Sequence, residues 1–350
     1  MNTKPILPVL DAISELEKKM FQEKIYDSAD IDLELEIELR LLRIIANLAR
    51  GGEKQNKLFY EAERKWNLHI LPCNSNYSYK SPLPKVSELS DKLWDKQYIA
   101  GIDWNEKESL KLLDKLARYS TEYGELIKSG KFDTSQGAFI QHDPAVYYCL
   151  IRHFKPKHII EVGIGSSTRL ASLAKNENQN ENYDKIAHIT AIDPYYESPD
   201  LDEIVDEIIR KPVQEVPTSE FDKLKENDIL FIDSSHVSKV GSDVNYLFLE
   251  ILPLLKPGVI VHVHDICLPD EMPKSWIKSK AIFWNEQYLL NAFLIFNSKF
   301  RILISNHYMA RFHPDALLKI SNNEPIGGGS FWIQKRSPRR YLQFLSFPFR

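Results

Sequence analysis

The sequence predicts a doubly wound α/β domain over its second half, preceded by a mainly helical region, and three observations carry that expectation. After Gly137 short apolar segments alternate with helical ones, as in HIIEV, HITAI, DILFI and GVIVHV. These segments lack the polar alternation of a half-exposed sheet, as expected when helices cover both faces of parallel strands. The first of them runs through a turn containing Gly163 and Gly165 directly into a helical stretch, the join at which such sheets bind ligands.

Three parts are expected: a helical region over 1–134, the α/β domain over 135–336 and a tail over 337–350. In the first, IDLELEIELRLLRIIANLAR opens with strand-like alternation but continues with Leu41, Ile44, Ile45 and Leu48 at helical spacing. Its Glu, Leu and Arg content also favours helix. The following NLHILPCNSNYSYKSPLPKVSEL is rich in Pro, Ser, Asn and Tyr, which reads as an irregular segment, either facing substrate or packing as a connector.

Asn105 followed by Glu108 reads as a capping box opening a helix, with Leu110, Leu113, Leu116 and Ala117 on one face and Gly130 as the stop. Asp143 and Pro144 read as cap and first turn of the helix DPAVYYCLIRHF. KNENQNENYD is expected to be a surface loop, RILIS and SFWIQK two final strands, and SNNEPIGGGS the flexible connection before the last of them.

Composition narrows the function classes. The chain has 350 residues, 43% hydrophobic and 27% charged, and a formal net charge of −4, which suits a folded globular protein. Its Lys and Arg are dispersed, unlike the basic footprint of a nucleic-acid binder. The basic and aromatic tail from Lys335 to Arg350 reads as an end that packs by its aromatics or touches an anionic surface. Cys73, Cys149 and Cys267 fall in no disulfide, zinc or redox spacing, which suggests a reducing, cytoplasmic setting. No apolar run approaches the roughly 20 residues of a membrane helix, and the N-terminus lacks signal-peptide character.

The chemistry concentrates at strand ends. Glu161-Val-Gly163-Ile-Gly165-Ser166-Ser167-Thr168 joins a strand to a helix whose first N–H groups are free for a ligand, and the next strand ends in Asp193, an acid placed to accept from ribose hydroxyls. Two adenosine cofactors fit this pattern. Thr168 stands where a dinucleotide site wants its third glycine, and a carboxylate at Glu161 suits a cation better than a pyrophosphate, so the sulfonium of S-adenosylmethionine is favoured over a nicotinamide cofactor. The alternatives are an NAD-dependent oxidoreductase and a binding protein that keeps the fold without turnover.

Two further strand ends carry Asp233 with His236, in DSSH, and His264 with Asp265, in HVHDI. His262, deeper in its strand, reads as a core histidine. Trp284, Glu286 and Tyr288 in FWNEQYLLNAF read either as an acceptor-binding wall or as amphipathic packing, and Asp143 and Tyr147 as residues that face the pocket or simply cap and pack.

EVGIGSSTRLA, AIDP, FIDSSHVSKVGSDVNYLFLEILPLLKPGVIVHVHDI, WNEQYLLNAFL and SFWIQK resemble the bacterial class I methyltransferases found beside polysaccharide and cell-surface glycan genes. The resemblance runs from about Trp66, with LHILPCNSNYSYKSPLP similar to a Tyr-Ser-Pro segment of those proteins but enlarged by Asn and Ser. It implies a Rossmann-like, mostly parallel seven-stranded sheet with an antiparallel last strand. It places Glu161, Gly163 and Gly165 by the methionine part of S-adenosylmethionine, Asp193 on the ribose and Gln214 by the adenine, and Ser166 and Ser167 are expected to bind the same cofactor.

The strand-end acids are also similar to those of catechol O-methyltransferase-like enzymes. That similarity implies a divalent ion such as magnesium between Asp233 and Asp265, with His236 in the position of the lysine base and Ile266 replacing an amide ligand. The resulting expectation is O-methylation of a small or glycan-type acceptor by a homo-oligomer, with His236 as base, Asp233 and Asp265 organising acceptor or metal, and His264, Trp284, Glu286, Tyr288 and Tyr147 near the acceptor.

Overall fold

A computed structural model describes residues 64, 83–84, 86–134, 139–181, 187–196, 202–320 and 324–337. The helix expected over 31–50, most of the Pro/Tyr/Ser segment and the tail beyond 337 lie outside the described residues. Contacts divide the chain between Glu88 and Leu89, and the architecture that follows belongs to the second unit.

Seven strands form its sheet in the order β3-β2-β1-β4-β5-β7-β6. They are β1 His158–Val162, β2 His188–Ile192, β3 Glu207–Ile209, β4 Ile229–Ile232, β5 Ile260–Val263, β6 Phe300–Ser305 and β7 Phe331–Lys335. The pairs among β1 to β5 are parallel, whereas β7 enters antiparallel between β5 and β6. This is the expected Rossmann-like, doubly wound sheet with its antiparallel last strand. The order reverses at β1, so the chain leaves the paired strands β1 and β4 toward opposite faces and a crevice opens at their carboxyl ends.

Alternate residues of each strand feed two cores. Ile159, Phe231, Ile260 and Trp332 join one cluster with α3 (Asp143–Phe154) and α4 (Ser166–Asn180). Ile160, Leu230, Val261 and Ile333 join the other, against the helical run Asp243–Tyr246, Leu247–Ile251 and Leu252–Leu254 and against α5 (Glu286–Leu294). Burial on both faces explains why the strands read as unbroken apolar runs, each fully buried Ile or Leu contributing about 1.5–3 kcal/mol. Among the described residues no helix is long and apolar enough to cross a membrane.

Three local expectations change. The helix after Asn105 forms, as α1 (Glu106–Leu116) followed after a 3-10 turn by α2 (Ser120–Lys128), and Gly130 takes φ +72. Its capping box does not form, because the Asn105 amide donates instead to the Ile302 carbonyl at 2.7 Å. α4 continues through KNENQN to Asn180 where a loop was expected. Those polar residues find partners: Lys175 reaches Asp206 at 2.6 Å, while Asn178 donates to the Ile151 carbonyl at 3.2 Å and accepts from buried Arg152. Finally, His142 rather than Asp143 occupies the N-cap position of α3, without a side-chain cap hydrogen bond.

Candidate active site

The backbone ladder extends past the strands and fixes their tips. Gly163 N donates to Ile192 O at 3.0 Å, Asp233 N to Val162 O at 2.9 Å and His264 N to Ile232 O at 3.0 Å. Gly163 adopts φ +91, and a Cβ there would stand 2.1 Å from the Asp233 carbonyl oxygen. Only glycine lets the β1 turn pass this close to the end of β4.

Beside these tips lies a cavity of about 410 Å³, lined among others by Gly163, Asp193, Tyr195, Gln214, Asp233 and Lys239. Its size lies within the range of small-ligand sites. Asp193 is held by the Ile164 and Tyr195 N–H groups, at 3.2 and 2.8 Å, which fixes its carboxylate at the wall.

Six titratable side chains meet at the ends of β4 and β5. His236 Nε2 is 3.2 Å from Asp233 Oδ1 and 3.7 Å from Asp265 Oδ2, and its Nδ1 is 2.9 Å from Glu286 Oε2. His264 Nδ1 lies 3.5 Å from Asp233 Oδ1 and its Nε2 3.4 Å from Asp143 Oδ2. Carboxylates and imidazoles therefore alternate in one chain: Asp143, His264, Asp233, His236, Glu286. His236 and Asp265 both hold left-handed backbone, at φ 59 and 55, a conformation costing a non-glycine residue about 1–2 kcal/mol.

The charges follow from this alternation. Burial favours neutral Asp233, but the two imidazoles outweigh it and hold its carboxyl well below the usual carboxylate range. Burial likewise opposes a charge on His236, yet the carboxylates of Asp233 and Glu286 raise it to about 9. His264 moves up in the same way, through Asp143 and Asp233. Burial pushes Asp265 upward despite both histidines, and does the same to Glu286 against His236.

A family model described as a methyltransferase domain matches residues 160–266. An uncharacterised protein of Archaeoglobus fulgidus is 30% identical over 166 residues, a span of 43% of this chain and 73% of that protein. The chain belongs to the family of that archaeal protein. The similarity of residues 160–266 to a methyltransferase domain favours the sulfonium cofactor over the nicotinamide alternative. Two solved structures are also similar: the O-methyltransferase from Bacillus cereus in complex with SAH, at 9% identity, 64% of this chain, 91% of that chain and a TM-score of 0.32, and a SAM-dependent methyltransferase from Archaeoglobus fulgidus, at 12%, 55%, 94% and 0.25. The fold assignment rests on the sheet order itself.

The residues expected to form the site fall into three groups. His236, Asp233, Asp265, His264 and Glu286 converge in one cluster, with the Trp284 ring 4.2 Å from that of His236. Gly163, Asp193 and Gln214 line the cavity. Glu161 does not reach the cavity wall: it is fully buried, accepts from the Ser167 hydroxyl, and burial pushes it up to about 8 against Ser167 and Thr168. It secures the first turn of α4, where Gly165 and Ser166 stand half-buried and Gly165 N donates to Thr168 Oγ1 at 3.0 Å.

Tyr147 and Tyr288 belong neither to the lining of the 410 Å³ cavity nor to the cluster. Tyr147 is completely buried among Phe139, Phe231 and Trp332, and the Tyr288 hydroxyl donates to Glu271. Glu286 is 2% exposed, and its Oε2 lies 2.9 Å from His236 Nδ1. His262 is a core histidine, with Nε2 2.9 Å from Ser330 Oγ.

Sequence reasoning missed the run Gly327–Gly329. Read as a flexible connection, it lies against the site, with Gly329 N and Ser330 N donating to the Asp143 carboxylate at 2.9 and 2.8 Å. Three consecutive glycines before a strand were the available signal.

Proposed function

We propose that the chain is an S-adenosylmethionine-dependent O-methyltransferase acting on a small or glycan-type acceptor, with His236 as general base. One observation carries the reading: Asp233 stands in the wall of the 410 Å³ cavity while its carboxylate lies 3.2 Å from His236 Nε2. A ligand in that cavity and a proton acceptor would thus meet at one residue.

When bound, S-adenosylmethionine supplies an electrophilic methyl group. Gly163, Asp193 and Gln214 would hold it, with the α4 N-terminus from Gly165 to Ser167 beside them. Methyl transfer is an in-line displacement, so residues on a rigid sheet edge gain rate by alignment. His236 removes the acceptor hydroxyl proton at Nε2, while Glu286 on Nδ1 fixes the ring and its tautomer, as a carboxylate does for a catalytic histidine. Asp233 and Asp265 orient the acceptor oxygen.

The donor atoms of Asp233, His236 and Asp265 all lie within 4.8 Å of one another, a set that fits a divalent cation. Asp233 and Asp265 would hold it, and it would lower the pKa of the acceptor hydroxyl. Ile266 is buried apolar and adds no ligand.

Calorimetric titration with S-adenosylhomocysteine tests the cofactor. The wild type is expected to bind, and Asp193→Ala to bind about ten- to a hundred-fold more weakly, the loss of hydrogen bonds to a charged group. No heat from the wild type would remove the reading.

A further inference from the structure

A second cavity, of about 550 Å³, shares no lining residue with the first. Its walls include Asp143, Asp265, Asp270, Trp276, Arg311 and the run Gly327–Gly329. The reactive cluster is the junction between the two: Asp233 belongs to the first cavity, Asp265 to the second, and His236 Nε2 lies 3.2 and 3.7 Å from them.

Resting on the methyltransferase reading above, we infer that the second cavity is the acceptor site and that it selects an uncharged, polyhydroxylated ring over its anionic analogues. The cavity is a built feature of the fold. The Asp143 carboxylate, 2% exposed as a residue, accepts from Gly329 N, Ser330 N and the Asn306 amide at 2.9, 2.8 and 2.7 Å. That anchorage draws the glycine run flush against the cluster. A Cβ at Gly328, where φ is +124, would stand 2.3 Å from Asp143 Oδ1, and one at Gly329 would stand 2.9 Å from the Asp265 Cα. The wall facing Asp265 is therefore backbone, because side chains have no room there.

Charge sets the selectivity. Three carboxylates line the cavity, and the Arg311 guanidinium donates to Asp270 at 2.8 Å, with His307 Nε2 2.9 Å from the same oxygen. A phosphate or carboxylate on the acceptor would have to displace Asp270 from Arg311 and would meet the Asp143 carboxylate. Hydroxyl groups meet no such opposition and donate to carboxylates. Trp276, Pro273 and Ile326 supply apolar surface for the face of a ring.

The test compares three matched probes, methyl glucopyranoside, its uronate and its 6-phosphate, by methyl transfer from S-adenosylmethionine, with S-adenosylhomocysteine binding measured alongside. For the wild type, kcat/KM on the neutral probe is expected to exceed that on either anion by about ten-fold or more. Gly329→Ala should raise the neutral probe's KM with cofactor affinity unchanged. Asp270→Asn, which frees Arg311 and leaves the glycine wall intact, should narrow the gap between neutral and anionic probes. Equal or better use of the anions by the wild type overturns the inference. So does the absence of transfer to every hydroxyl probe while S-adenosylhomocysteine still binds, or an unchanged preference in Asp270→Asn. Loss of S-adenosylhomocysteine binding by the wild type itself removes the underlying methyltransferase reading, and the inference with it.

Discussion

The two cavities that meet at His236 are made in different ways. The first is assembled from turns directly after strands, with Gly163 one residue past β1, Asp193 one past β2 and Asp233 one past β4. The second gathers residues from helices and loops far apart in the chain. Asp143 and Gly329, 186 positions apart, share a hydrogen bond that shapes its wall. A ligand held at strand-to-helix turns is encoded locally, since the strand end and the following turn are contiguous. An acceptor site that varies between enzymes of one fold is built from loops on that scaffold.

The contrast can be broken by substitutions that separate the two sides. The largest effect is expected from His236→Ala, which should lower kcat by about 10²–10⁴-fold, the usual contribution of a general base, while S-adenosylhomocysteine still binds. Equal losses in kcat and cofactor affinity would place His236 in the cofactor site instead.

A pH profile sharpens the same point. With His236 held up at about 9, its neutral form grows as pH rises, so kcat/KM should climb toward that value. Glu286→Gln removes one of the two carboxylates that raise it, and the climb should move to lower pH. An unmoved profile would detach Glu286 from the base.

On the first side, Glu161 gives a stability prediction. Burial raises this carboxyl from the usual ~4.3 to about 8. The folded state then holds a proton that the unfolded chain has released, so the stabilisation is complete below pH ~4.3 and is lost as pH rises through about 8. Melting curves of Glu161→Gln, which needs no proton, should decline less than the wild type across this window. Parallel declines would mean that Glu161 is ionised in the folded protein.

The smallest effect belongs to Tyr147→Phe. Its hydroxyl is buried without a hydrogen-bond partner among the described residues, so removing it should leave melting temperature and turnover unchanged or slightly improved. A marked loss of turnover would return Tyr147 to the acceptor site.

Legibility followed the same division as the cavities. The strands, their parallel character and the acids at their ends were readable because each depends on a short contiguous stretch. The continuation of α4 through KNENQN was hidden, since composition alone does not reveal that Arg152, Asp206 and the Ile151 carbonyl wait to satisfy those polar residues. Asn105 looked like a cap and bonds a strand 197 positions away. Glu286 read as either a ligand wall or helix packing, and its contact with a histidine 50 positions earlier was not legible from its neighbours.

By itself the sequence determined the sheet, the glycine turn after β1 and the acids carried at the tips of β2, β4 and β5, because apolar runs and turn residues act over a few neighbouring positions. Tertiary structure alone decided that Asp143, His264, Asp233, His236 and Glu286 alternate in charge, and that a glycine run forms the wall beside Asp265. Those arrangements depend on distances between segments remote in the chain, which only packing around the shared sheet brings to hydrogen-bonding range.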